Sequence, residues 1–263
     1  MEIIIPVRNP DQRLARTAAS VAAQTDRKFS VILSDNGSTS GLNYIKEAQQ
    51  QLAAAGIPVR RVQAPGEMRW LEHWNWAQAQ AQADWLKPLP VGSELKPVYV
   101  EAFNQRIHQQ PQARFVRCDG EVRTEWGLET VRAPFPQGSI SPAEVLNYFP
   151  ARIRWLATGS NMAYQRVAWL AAGGYSMQLP GCAFLNLHVI LALHHGLENI
   201  HEPLVTVDLA GELPLNKNHN GRVNLWLELW LILRQARNYC LAAKLPWPKK
   251  WLLLRGISAM GRW

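Results

Sequence analysis

Two short runs near the N-terminus hold the residue types that half of a nucleotide pocket requires. They are Pro6-Val7-Arg8-Asn9 and Asp35-Asn36-Gly37-Ser38. Asp35 is an ionised hydrogen-bond acceptor at a turn where Gly37 leaves room for a ligand to approach the backbone. A solvated aspartate in an ordinary βαβ turn is the competing reading of Asp35 alone. The elements around these runs favour the pocket. Ile3-Ile4-Ile5 before a proline reads as a buried strand, Asp11 to Gln24 as a helix, and Val31-Ile32-Leu33 as a second strand ending at the acidic turn. In open α/β sheets the ligand lies outside the carboxyl ends of the strands, so both runs face one crevice.

The alternation continues along the chain. Leu42 to Ala55 reads as a helix that stops at Gly56, Val59 to Val62 as a strand, Glu67 to Ala83 as a helix, and Trp85-Leu86-Lys87 as a fourth strand. Pro97 to Gln109 reads as a helix and Phe115 to Cys118 as a strand. Ser141-Pro142-Ala143-Glu144 is a helix start, with proline at the first position and glutamate three after the cap. An apolar helix from Leu187 to His195 ends at Gly196. This is an α/β protein without repeats or linkers.

Pro6-Val7-Arg8-Asn9, the helix ending Gln24-Thr25, and Asp35-Asn36-Gly37-Ser38-Thr39 together resemble the start of the family 2 inverting glycosyltransferases. The resemblance continues through His73-Trp74-Asn75-Trp76, Gly159-Ser160-Asn161 and Gly173-Gly174-Tyr175. It implies a GT-A fold: a Rossmann-like, mixed, mostly parallel central sheet flanked by helices. It also implies a nucleotide-sugar donor, UDP-type by the family's habit, and a glycan or lipid-linked acceptor. Carried over by position, Pro6, Val7, Arg8, Asn9, Asp35, Asn36, Gly37, Lys87, Gly92 and Ser93 would bind the donor, with Asp35 accepting a hydrogen bond from the base. Gly159, Ser160, Asn161, Gly174 and Asn186 would line the acceptor side.

Four places depart from the family. It usually has an aromatic residue at Arg8 and often a second acid at Asn36. Where it holds an Asp-x-Asp metal motif, this chain has Pro90-Val91-Gly92-Ser93, none of them a carboxylate. A divalent Mn or Mg bridging two phosphates needs hard oxygen ligands, and Glu94 is the one nearby candidate. The family's catalytic acid follows the Gly-Gly turn, where this chain has Gly181-Cys182-Ala183-Phe184-Leu185-Asn186-Leu187-His188, again without an acid. An inverting displacement needs a group to take the acceptor's proton. His188 and Glu94 are the candidates, against the plainer readings of a structural histidine and a solvated helix-start glutamate. Lys87, Lys96, Arg8 or Arg69 would stabilise the leaving diphosphate if no metal does.

The net charge of +8 is concentrated in the tail, where residues 222–263 carry eight basic residues against Glu228. Five tryptophans share that segment. Trp with Lys or Arg is the composition of a helix lying in an anionic membrane interface. Residues 246–263, with Pro246, Pro248 and Lys249-Lys250 around Trp247 and Trp251, read as a membrane-surface or partner-docking segment. Leu225 to Leu233, by contrast, reads first as a C-terminal helix closing the core, with basic residues on its wet side. Nucleic acid ranks below a membrane, because no nucleic-acid motif accompanies the basic residues. We expect two units: a GT-A domain over residues 1–221 and a helical basic extension over 222–263.

Three distant cysteines indicate neither a disulfide framework nor a zinc site, which fits a reducing cytosol. No leader peptide and no bilayer-spanning apolar run is evident. The expectation is a glycosyltransferase of bacterial surface polysaccharide assembly, peripheral at the inner face of the cell membrane. The alternatives are a catalytically inactive relative acting as a scaffold for a protein partner, and a peripheral membrane module.

Overall fold

Ile3, Ile4 and Ile5 are all wholly buried, and successive side chains of their strand enter opposite cores. Ile4, Ile32 and Leu86 belong to one apolar cluster, with Leu71, Trp74, Trp169 and the helix carrying Leu187. Ile3, Ile5, Val31 and Leu33 belong to the other, with Leu14, Val21, Leu52 and Phe103. A strand buried on both faces has no polar side, which is why this run reads as continuous apolar sequence.

The computed structural model describes residues 1–124, 126–148, 153–207 and 234. Its first half comprises β1 (Glu2–Val7), α1 (Arg13–Ala22), β2 (Ser30–Asp35), α2 (Leu42–Ala54), β3 (Val59–Gln63), α3 (Trp70–Ala79) and β4 (Trp85–Pro88). Next come β5 (Glu94–Leu95), α4 (Tyr99–Gln109), β6 (Phe115–Thr124), β7 (Gly127–Val131), β8 (Gly138–Ile140) and α5 (Pro142–Val145). After these follow β9 (Met162–Gln165), α6 (Arg166–Ala171), α7 (Ala183–His195) and β10 (Leu197–Val207).

The ten strands of the described residues form one sheet, with the main order β3-β2-β1-β4-β9-β6-β10-β5. On that path β9 and β5 run against the other strands, so the sheet is mixed and mostly parallel. The register sets Val7 beside Asp35 and Ile4 beside Pro88, which brings the ends of β1, β2 and β4 to one edge. The pairing of β10 with β6 shifts around Pro203, where the missing N–H cannot continue the ladder.

Most expected elements stand within two or three residues of their predicted bounds. The helix at residues 67–83 is shorter, because Arg69 is its extended N-cap and the Glu72 carboxylate accepts from the Arg69 N–H at 3.0 Å. The capping box at Ser141 and Glu144 forms as read. The largest differences are at β6, which runs on to Thr124 rather than Cys118, and at α7, which begins at Ala183 rather than Leu187. Ten of its thirteen residues are buried, so it is a central helix with no solvent face to mark where it starts.

Among the described residues, no helix is long and apolar enough to cross a membrane. Apart from Arg234, the expected basic extension, its membrane-docking segment 246–263 and the boundary at 221/222 lie outside the described residues.

Candidate functional site

The two N-terminal runs meet as their sequence predicts. Asn9 has a positive φ of 45°, and its side-chain oxygen accepts from the Thr39 N–H at 2.8 Å and the Ser40 N–H at 3.1 Å. Its own N–H donates to the Ser38 hydroxyl at 2.9 Å. Asn9 therefore ties the β1 loop to the β2 turn, a positioning role. Gly37 has a φ of 65° with open space where a Cβ would stand, so the turn needs glycine for conformation rather than for room.

Asp35 is buried at the end of β2. One carboxylate oxygen accepts from the Ser38 N–H at 3.0 Å, and the other from Arg61 Nη2 at 2.8 Å. Burial alone would raise its pKa, but the Ser38 hydroxyl and N–H and the Arg61 guanidinium outweigh it, leaving the carboxyl below its ordinary value. Arg61 was not anticipated as a site residue. The only signal was a pair of arginines in a short strand, one of which had to point toward the crevice.

Asn36 explains its own departure from the family. Its amide oxygen accepts from the Met68 N–H at 2.9 Å and its amide nitrogen donates to the Met68 carbonyl at 2.8 Å. A carboxylate would set two acceptors against that carbonyl. Asn75 makes the same two-way clamp on Tyr175, accepting at 2.8 Å and donating at 2.9 Å. Gly174 at φ 69° is required there, since a Cβ would stand 2.6 Å from the Asn75 oxygen.

Around the degenerate metal motif the structure supplies packing and cations. The Gly92 N–H donates to the Thr17 hydroxyl at 2.8 Å, which in turn donates to the Ser93 carbonyl at 3.0 Å, pinning this turn to α1. Gln24, from the Gln-Thr end of the first helix, donates to the Lys96 carbonyl at 2.8 Å and accepts from the Val100 N–H at 3.0 Å. Glu94 pairs with Arg123 at 2.7 Å and stands 3.9 Å from Arg16. Two guanidiniums beside one carboxylate, and no acid from Pro90 to Ser93, do not fit a divalent cation. Among the described residues no cluster of three His, Cys, Asp or Glu could hold a metal ion.

Two expected site residues lie elsewhere. Lys87 is wholly buried, donating to the Ser160 and Met162 carbonyls, with its ammonium 5.0 Å from the Tyr99 ring centre. It is a strap between β4 and the Gly159 to Asn161 turn, out of reach of a diphosphate. The strand pattern put Lys87 near the crevice but left open which face its side chain enters.

His188 is likewise wholly buried. It lies inside α7, its ring stacked on Phe115 with centres 5.6 Å apart, and its Nδ1 donates to the Leu156 carbonyl at 2.6 Å. Burial pushes its pKa down to about 4, with Lys87 adding to the effect against the Leu156 hydrogen bond. A base must touch its acceptor, and this imidazole has no exposed atom; the earlier start of α7 is the reason. In the stretch where the resemblance leads one to expect an acid, Phe184 packs against Trp74 at 5.1 Å, Tyr175 at 5.0 Å and Trp70 at 5.9 Å between ring centres.

Asn161 donates to the Cys118 carbonyl at 3.0 Å. With Arg117, Gly120, Trp155 and Thr158 it lines a cavity of about 230 Å³ beside β6. Gly159 fits beneath Phe184, where a Cβ would stand 3.2 Å from the ring. Asn186 is buried, and its amide oxygen has no hydrogen-bond partner among the described residues.

The sheet order and the crevice at the ends of β1 and β2 define a GT-A-fold protein. Its fold is similar to that of Staphylococcus aureus TarS residues 1–349, with a TM-score of 0.72 at 12% identity over 98% of this chain and 70% of that one. The TarS 1–349 complex with UDP-GlcNAc gives a TM-score of 0.70 at 12% identity, over 96% and 70%. The mannosyltransferase PcManGT from Pyrobaculum calidifontis, in complex with GDP-Man and Mn2+, gives 0.53 at 16% identity, over 100% and 80%. No curated protein sequence matches the chain. Residues 2–149 match the family described as Glycosyl transferase family 2, and the chain belongs to that family.

Proposed function

We propose that this chain binds a nucleotide-sugar donor at the carboxyl ends of β1 and β2. It transfers the sugar, without a divalent cation, to a glycan or lipid-linked acceptor of bacterial surface polysaccharide assembly. The observation that carries the donor half is the locked pair of loops, in which Asn9, Ser38 and Asp35 fix one another and hold the crevice open. Arg8 and Arg69 are exposed cations paired with Glu67 and Glu72, and would offer the phosphates the charge that a metal would bring by exchanging those carboxylates for the diphosphate. Solved structures of this fold hold UDP-GlcNAc in one case and GDP-Man in another, which supports a nucleotide sugar and leaves the base open.

A second reading is favoured by the Phe184 cluster and the buried His188: a donor-binding subunit that serves an active partner without turnover of its own. In either case we place the protein at the cytoplasmic face of the membrane, on the composition of residues 246–263. The deciding experiment presents the full chain with a panel of nucleotide sugars and lipid-linked glycan acceptors. Release of nucleoside diphosphate that depends on acceptor supports transfer. Nucleotide binding without release supports the second reading. No binding of any nucleotide removes both. Loss of liposome co-sedimentation on deletion of residues 246–263 tests the membrane assignment.

A further inference from the structure

Asp35 is 1% exposed, and each of its carboxylate oxygens already has a donor within 3.0 Å. It has no free face to offer a ligand. The Arg61 side chain is 34% exposed, and among the described residues Asp35 is its one hydrogen-bonding partner, through Nη2. A guanidinium carries five N–H donors in a rigid fork, so most of them remain available. Arg61 stands on β3 opposite Leu33, and its reach to Asp35 sets its head group at the end of β2, where the base of a donor would lie.

We propose that Arg61, anchored by Asp35, reads the nucleobase and selects one presenting two adjacent acceptors on a single edge. This rests on the donor-site reading above. Guanine offers O6 beside N7, and cytosine offers N3 beside O2; either accepts two parallel N–H bonds from a guanidinium. Uracil alternates acceptor, donor and acceptor, and its N3–H suits a free carboxylate rather than a cationic fork. Adenine sets an amino donor beside N7. Arg61 thus turns an acceptor-presenting pocket into a donor-presenting one, and the UDP-type donor implied by the family gives way to a GDP- or CDP-type one.

The test is titration calorimetry of the full chain with GDP, CDP, UDP and ADP, repeated on Arg61→Lys. Lysine keeps a cation on Asp35 but lacks the fork. The expected result is GDP or CDP binding about tenfold or more tighter than UDP and ADP, a ratio that falls to within about threefold in Arg61→Lys. GDP leading assigns guanine, and CDP leading assigns cytosine. UDP binding as tightly as the best of the others overturns the inference and leaves the donor site standing. A ratio that survives in folded Arg61→Lys does the same. If Arg61→Lys fails to fold by circular dichroism, the wild-type ranking decides. Failure of all four nucleotides to bind overturns the donor site and this inference together.

Discussion

The turn after β2 and the first turn of α7 stand where the family resemblance leads us to expect functional groups, yet they are built from opposite materials. At the β2 turn the polar groups are retained and fixed by one another: Asn9 holds Thr39 and Ser40, Asn36 holds Met68, and Asp35 holds Arg61 and Ser38. At α7 the position of an acid has been given to an aromatic cluster centred on Phe184, with a neutral histidine buried behind it. A binding pocket survives as long as its loops keep their mutual hydrogen bonds. A general base works only where its acceptor can reach it, and the first turn of α7 is buried in the core.

The contrast is open to attack, beginning where the effect is largest. Phe184→Ala empties an aromatic site in the acceptor-half core and is expected to cost about 3–5 kcal/mol in urea unfolding. Nucleotide affinity of the folded protein should stay within about threefold, because the two regions share no polar partner. A tenfold loss of affinity would show that the halves are coupled.

The second effect is on stability against pH. His73 and His188 are both held at about 4, chiefly by burial, below a free value of 6.5. As pH falls, the unfolded chain takes up these protons first. The contribution of these two histidines is therefore full above about pH 6.5, falls toward pH 4 and levels off below it, by up to about 3 kcal/mol for each histidine, while carboxylates held low, such as Asp35, lose their own contribution further down. His188→Gln, which keeps a donor for the Leu156 carbonyl but does not titrate, should flatten part of that slope. An unchanged slope would place the proton uptake elsewhere.

On the donor side, Asp35→Ala removes the anchor of Arg61 and should weaken nucleotide binding at least tenfold, or about 1.4 kcal/mol by calorimetry. Asn36→Asp restores the acid common in the family but loses the bond donated to Met68, and should cost about 1 kcal/mol in stability without creating metal dependence. The smallest expected effect is that of EDTA or added Mn²⁺, which should change nucleotide affinity by less than about twofold, since Glu94 lies between Arg16 and Arg123. A strong metal effect would mean that Glu94 leaves both arginines to ligate.

Much of the donor half was legible in advance. The apolar run Ile3 to Ile5, the Asp35 turn and the glycine at residue 37 specify a strand, a turn and a loop conformation through interactions with near neighbours in the chain. The Asn9 and Ser38 contacts follow once two parallel strands are set side by side. The acceptor half was less legible because α7 is apolar on all sides, and helical periodicity marks a boundary only when one face is wet.

By itself, then, the sequence determined the strand-helix alternation, the meeting of the two N-terminal runs and the lack of carboxylates at two expected positions, because these depend on local backbone preference and on which side chains are present. Only the tertiary structure decided that the Asp35 carboxylate is filled by an arginine 26 residues away, that Lys87 points into the core to hold the Ser160 carbonyl, and that His188 is sealed from solvent. Each of those outcomes turns on which face of an element a side chain enters and what distant segment it meets there. Face and partner are fixed by packing across the sheet.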